Sequence, residues 1–176
     1  FRFLQRIYRL FAEFHLYCKE NSYTAESIAL SAVNDQARTI RKAAHKTVAL
    51  VESDIEKLGF NRAVARIYEL VNQLSKIKID HETPDDIKAA FGEALRFLAG
   101  IIAPMIPHLA EECWALLGEN SLLATNSWPS YQADLLVEEM IVLPVQINGK
   151  KRADVSVAAN ADNKTIEEAV LALDIV

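Results

Sequence analysis

The chain has 176 residues, of which 51% are hydrophobic and 24% charged, with only five glycines and five prolines. That is enough to bury a core without staples, and it excludes a disordered or low-complexity protein. The net charge of −5 argues against a general polyanion binder, and no apolar run approaches the ~18 residues of a membrane span.

Residues 1–18 place Leu4, Ile7, Phe11, Phe14 and Cys18 at helical spacing, with Arg2, Arg6, Arg9 and Glu13 on the other face. Residues 19–31 are polar and small and read as a connection. A second helix is expected from Asn34 or Asp35, either able to cap it. Its stripe is Ile40, Ala44, Thr47, Val48, Val51, Ile55 and Leu58, and Gly59 is its expected stop. Asn61 can cap a third helix with stripe Val64, Ile67, Leu70, Val71 and Leu74. Thr83-Pro84-Asp85-Asp86 signals a fourth start, as cap, first-turn proline and acids. That helix uses Ile87, Phe91, Ala94, Leu95, Leu98 and Ile102 and ends before Pro104. A fifth is expected from Pro107 to Leu117, with Gly118 as stop.

Five helices with short links predict an antiparallel bundle. After Gly118 the pattern changes. Residues 119–138 read as a connecting loop, with Trp128-Pro129 plugging against the bundle. Met140–Ile147 and Lys150–Val157 read as strands joined by Asn148-Gly149, the favoured type I′ turn. An unbroken ladder would set Val142 opposite Val155 and Val145 opposite Arg152, with Pro144 at an edge or a bulge. A helix capped near Asp162 follows, carrying Ile166, Val170 and Leu173 on one side. The fold class is therefore mainly α, a helix bundle over residues 1–118 followed by a partial β-β-α unit over 139–176. Phe1 falls inside a helical pattern and the chain stops within an apolar run, so it reads as a piece of something longer.

No Gly-rich phosphate loop, nucleophile elbow or metal-ligand spacing occurs, and no catalytic or metal residue is expected. The four histidines lack partners at ligand spacing; His15 reads as packed beside its helix stripe. Cys18 and Cys113 read as small core residues rather than nucleophiles.

The charge is unevenly spread. Residues 1–50 carry 8 basic and 4 acidic groups, net +4, whereas residues 101–176 carry 4 and 11, net −7. On the second helix Arg38, Arg41, Lys42 and His45 fall within about 100° of one another, with Lys46 beside them. That face lies roughly 140° from the apolar stripe and is expected to meet solvent. Such a cluster neutralises phosphates without reading bases. Arg2, Arg6 and Arg9 form a smaller copy, and Lys150, Lys151 and Arg152 a third beside the hairpin turn.

Five blocks in order carry a resemblance. They are Arg41-x-x-x-His45-Lys46-Thr47, Phe60-Asn61-x-Ala63, the run from Ala103 to Trp114 with Pro107-His108-x-Ala110-Glu111-Glu112-x-Trp114, then Trp128-Pro129, and Val145-Gln146-Ile147-Asn148-Gly149-Lys150-Lys151-Arg152. Together they resemble the C-terminal part of bacterial leucyl-tRNA synthetases, the hairpin being the block particular to the leucine enzymes. Pro144 departs from that family, which usually has a β-branched residue there. The resemblance implies a bundle of the class Ia anticodon-binding type and the start of a C-terminal α/β domain. It further implies tRNA for leucine and the remaining synthetase domains as partners, a cytoplasmic location, and neither DNA nor membrane. ATP with Mg2+ would serve the parent enzyme; this piece would need no cofactor. The residues expected to hold tRNA are Arg38, Arg41, Lys42, His45, Lys46, Lys150, Lys151 and Arg152. A rival reading is a helical adaptor that docks another protein in an apolar groove.

Overall fold

The computed structural model describes residues 1–18, 34–137 and 140–173; the connection expected at 19–31 lies outside them. The chain divides into two compact units, Phe1–Leu136 and Val137–Val176.

The first unit is a bundle of α1 (Arg2–Cys18), α2 (Asp35–Glu56), α3 (Phe60–Leu74), α4 (Asp85–Ile102) and α5 (Pro107–Leu116). Most of the expected stripes form the core: Ile7, Phe11 and Phe14 of α1, Ile40, Val48 and Val51 of α2, and Ile67, Leu70 and Leu74 of α3 are all buried, whereas Leu4 and Val64, expected on the same stripes, are exposed. α4 is apolar around most of its circumference and is accordingly buried over nearly its whole length. α2 packs against both α3 and α4, while α1 packs on α5.

The caps differ in part from expectation. Asn34 does cap α2, its side chain accepting from the Gln36 amide at 2.8 Å, and its own amide donates to Asp86 at 2.9 Å. α2 stops two residues before the expected place, because Leu58 takes a left-handed φ of 55° and stands 78% exposed. Leu58 N–H reaches Ile55 O and Gly59 N–H reaches Asp54 O, the pair of bonds that closes a Schellman turn. Gly59 then precedes α3, which already includes Asn61. Thr83 does not cap α4. Its hydroxyl donates to Asp80 at 2.8 Å within the preceding turn, leaving Pro84 at the helix start.

Residues 119–136 do more than connect. The Glu111 carboxylate accepts from the amides of Leu123 and Ala124, both at 2.9 Å, and so fixes a 3-10 turn at Leu123–Thr125 on α5. Pro129 lies so close to Gly100 of α4 that any side chain there would overlap it, and Trp128 packs against the core beside it. A second 3-10 turn, Ala133–Leu136, lies on α2.

The second unit holds β1 (Met140–Ile147), β2 (Lys150–Ala158) and α6 (Asn163–Leu171). Asn148 and Gly149 both have positive φ (54° and 76°), as a type I′ turn requires. Ile147 pairs with Lys150 as expected, but the ladder slips between Val145 and Gln146, so Val145 faces Ala153 and Leu143 faces Val155. The expected pairs Val142–Val155 and Val145–Arg152 do not form. A two-residue turn pairs odd positions of β1 with even positions of β2. That would set Leu143 and Val145 opposite Asp154 and Arg152. One extra residue, Arg152, brings the apolar sides of both strands onto one face. Asp162 caps α6, accepting from the Thr165 amide at 2.9 Å.

Candidate nucleic-acid interface

The α2 cluster is split by the structure. Arg38 and Lys46 are exposed and Lys42 half-buried, whereas Arg41 and His45 are buried, 3% and 1% exposed. The expected solvent-facing position of Arg41 and His45 is thus corrected. Ala37, Arg41 and His45 follow one another at intervals of four and form a second buried ridge, which turns toward α4. A helix with neighbours on two sides buries an arc wider than one apolar stripe.

Glu93 of α4 answers that ridge. Arg41 binds it with both prongs of the guanidinium, Nε to Oε2 at 2.6 Å and Nη2 to Oε1 at 3.1 Å. His45 Nε2 lies 3.2 Å from Oε1, and its Nδ1 accepts from the Gln132 main-chain amide at 3.0 Å. Since Nδ1 accepts, the ring hydrogen sits on Nε2 and is donated to Glu93. The His45 ring meets Phe97 edge-on at 4.8 Å, and Arg41 Nη2 also reaches Gln132 Oε1 at 3.4 Å. Burial favours the neutral Glu93 acid, but the bonds from His45 and Arg41 and the Arg41 charge outweigh it. The carboxyl is held below its ordinary value. Chemically this is a closed network that fixes α2, α4 and the segment at 132 to one another. It leaves no group poised for reaction.

In the second unit, Lys150, Lys151 and Arg152 are all exposed at the hairpin tip, and Lys151 pairs with Asp154 at 2.8 Å. The turn and the bulge stiffen the strand ends that carry these cations. On α1, Arg2 and Arg9 are exposed and Arg6 is half-buried over the Phe3 ring, 5.5 Å from its centre.

The remaining chemistry-bearing residues have structural places. His15 is half-buried, and its Nδ1 donates to the Leu116 carbonyl at 2.8 Å, joining α1 to α5. Cys113 is buried, and burial, with a smaller contribution from Glu112, pushes its thiol up to about 12. Among the described residues no group of three His, Cys, Asp or Glu could hold a metal ion, and no helix is long and apolar enough to cross a membrane. The buried role of Glu93 went unread in the sequence. Its signal was there: a single acid in the middle of the apolar run from Ala89 to Leu95, facing Arg41 and His45 at four-residue spacing.

The family model described as the anticodon-binding domain of tRNA ligase matches residues 37–169, three quarters of the sequence. The chain belongs to that family. It is 48% identical over 178 residues to the leucine–tRNA ligase of Sinorhizobium medicae (strain WSM419), a match covering 99% of this chain and 20% of that protein. The leucine–tRNA ligase of Bartonella tribocorum (strain CIP 105476 / IBS 506) is 51% identical over 142 residues, covering 80% of this chain and 16% of that protein. The anticodon-binding-family chain therefore spans about a fifth of the length of these relatives. Among solved structures it is similar to the LeuRS chain of the Agrobacterium radiobacter K84 agnB2 LeuRS–tRNA–LeuAMS ternary complex. There the TM-score is 0.75 and the identity 34%, over 98% of this chain and 21% of that one. The mainly-α bundle with a small β-β-α unit is thus the architecture of a leucyl-tRNA synthetase segment.

Proposed function

We propose that this chain is the tRNA-holding part of a leucine–tRNA ligase, with no active site of its own. The observation that carries the reading is the similarity, over 98% of the chain, to a LeuRS chain solved with tRNA. The parent enzyme would join leucine to its tRNA in the cytoplasm using ATP and Mg2+, in domains other than this one. The residues present here do not suit those groups: there is no Gly-rich phosphate loop and, among the described residues, no metal-holding cluster. No step is assigned to them in this chain.

The mechanism is positioning. Arg38, Lys42 and Lys46 on α2, and Lys150, Lys151 and Arg152 on the hairpin, meet the phosphate backbone and fix the register of the tRNA. Arg41 and His45 act through Glu93, holding α2 so that its exposed cations keep a fixed spacing. Organised this way, the domain supplies orientation rather than chemistry, and the acceptor end is delivered to a catalytic site elsewhere.

The test is fluorescence anisotropy of labelled leucine tRNA with the 176-residue chain across a salt series. Phosphate binding weakens steeply with salt, and R38E/K46E lowers the affinity and the log–log slope by roughly 0.7–0.9 per lost contact. Affinity and slope identical to the parent chain in that variant, with its fold intact, would remove the α2 cations from the interface. Salt-insensitive capture of a protein in place of tRNA would favour the adaptor.

A further inference from the structure

The N-terminal half of α1 carries a site that the reading above leaves unused. Arg2, Arg6 and Arg9 lie within about 60° of one another on the helix circumference, one group over two turns. Together with Phe3, Gln5 and Tyr68 of α3 they line a cleft of ≈ 540 Å³. No carboxylate lines it. In a chain of net charge −5, three guanidinium groups on an acid-free wall are a local reversal of the overall field.

The aromatic pair organises the cleft. Phe3 and Tyr68 stack with ring centres 3.5 Å apart and planes within 9°, which ties α1 to α3. The same Phe3 ring holds the Arg6 guanidinium. Two long side chains are thereby restrained before any ligand arrives, which removes part of the ordering cost of binding. Tyr68 is still 39% exposed. Guanidinium groups interleaved with accessible aromatic surface suit a ribonucleotide chain, whose phosphates take the charge and whose unpaired bases stack. An acidic peptide would use the arginines and leave the tyrosine idle.

We propose that this cleft is a second RNA-contact site, in which Arg2, Arg6 and Arg9 take phosphates and Tyr68 takes an unpaired base. That the RNA is tRNA rests on the function proposed above; that the cleft takes RNA does not. The experiment follows the arginine Nε–Hε and tyrosine ring resonances of the 176-residue chain by NMR. The probe is an oligouridylate about five nucleotides long, with oligoglutamate of equal charge as the comparison. The site predicts that oligouridylate shifts Arg2, Arg6, Arg9 and Tyr68, and that the shifts vanish in R6E/R9E. Tyr68→Leu, which keeps an apolar contact for Phe3, weakens oligouridylate at least about fivefold and leaves oligoglutamate unchanged. Unmoved α1 and Tyr68 resonances overturn the proposal, as does oligoglutamate shifting the same groups at equal or lower concentration. The two readings fail separately. Oligouridylate at the cleft with no tRNA binding by the chain upholds the site and defeats the wider function. No oligouridylate shift at α1 in the unsubstituted chain, with full tRNA affinity and salt slope retained in R6E/R9E, does the reverse.

Discussion

The main-chain amide of Gln132 donates to Nδ1 of His45 at 3.0 Å, across 87 residues of sequence. Through that bond the segment after the bundle is fastened to the same buried carboxylate that Arg41 grips. The bond also sets the tautomer, so that a single histidine ring links a loop amide to Glu93. The basic surface of α2 is therefore supported by a polar network lying directly beneath it.

Charge reversal separates the two layers. Lys42→Glu, at a half-buried position on the same helix, is expected to cost about 1 kcal/mol at most. Arg41→Glu would set a second carboxylate against Glu93 in a buried site, and breaking such a pair costs about 3–5 kcal/mol. Urea unfolding of the two single variants checks this. Equal midpoints would show that the Arg41–Glu93 pair contributes nothing to the fold.

Glu93 also gives the bundle an acid sensitivity with a definite sign. Its folded carboxyl is held below the ordinary value of 4.5, so the native state favours the charged form. The stabilisation is complete above that value and is lost as pH falls through the lower folded one. Urea midpoints measured from neutral pH down to acid should therefore decline below about 4.5 in the parent chain. The decline should be shallower in Glu93→Gln, which starts lower but has no carboxyl to protonate. Parallel curves would assign the acid response to other groups. The lowered exposed carboxyls, Asp80 and Asp162, are common to both proteins and cancel.

Leu58 offers a gain. A leucine at φ 55° costs about 1–2 kcal/mol relative to glycine, and its side chain, 78% exposed, returns little by burial. Leu58→Gly keeps both Schellman hydrogen bonds and should raise the thermal midpoint. The net gain is about 0.5–1 kcal/mol once the larger unfolded-state entropy of glycine is deducted. A lowered midpoint would mean that the leucine side chain makes a contact worth more than the backbone strain.

Gly100 faces the opposite constraint. Pro129 occupies the space a side chain would need, so Gly100→Ala should destabilise by about 1–3 kcal/mol, the usual range for overpacking. Pro129→Ala in the same chain should recover part of that loss. A double-mutant cycle with no coupling would show that the 128–129 segment moves aside without cost.

Much of this was legible in the sequence for identifiable reasons. The stripes of α1, α3 and α4 are set by 3.6-residue periodicity, and Asn34, Asp162 and Asn148-Gly149 are local signals whose geometry depends on few neighbours. What periodicity does not carry is a second packing partner. Arg41 and His45 sit beside the apolar stripe of α2, and only the presence of α4 with Glu93 makes that flank an interior. Thr83 went astray for a related reason, since Asp80 competes for its hydroxyl. Leu58 was unreadable because nothing in its side chain marks a left-handed residue. The hairpin slip follows from a parity that the two strands state openly, once their apolar positions are required to share a face.

That parity makes the hairpin unequal in its tolerance of length change. Arg152 is the residue left over between the pairs Gln146–Lys151 and Val145–Ala153. Losing it would leave Ala153, Val155 and Val157 opposite the same partners on a straighter ribbon. Removing any single residue between 153 and 157 instead turns part of β2 over, exposing the valines that are now buried. The loss of one residue is thus absorbed at the bulge, while the strand behind it is held to an exact count. The residue that the register can spare is also one of the tip cations, so a charge can be removed from this basic tip without refolding the unit.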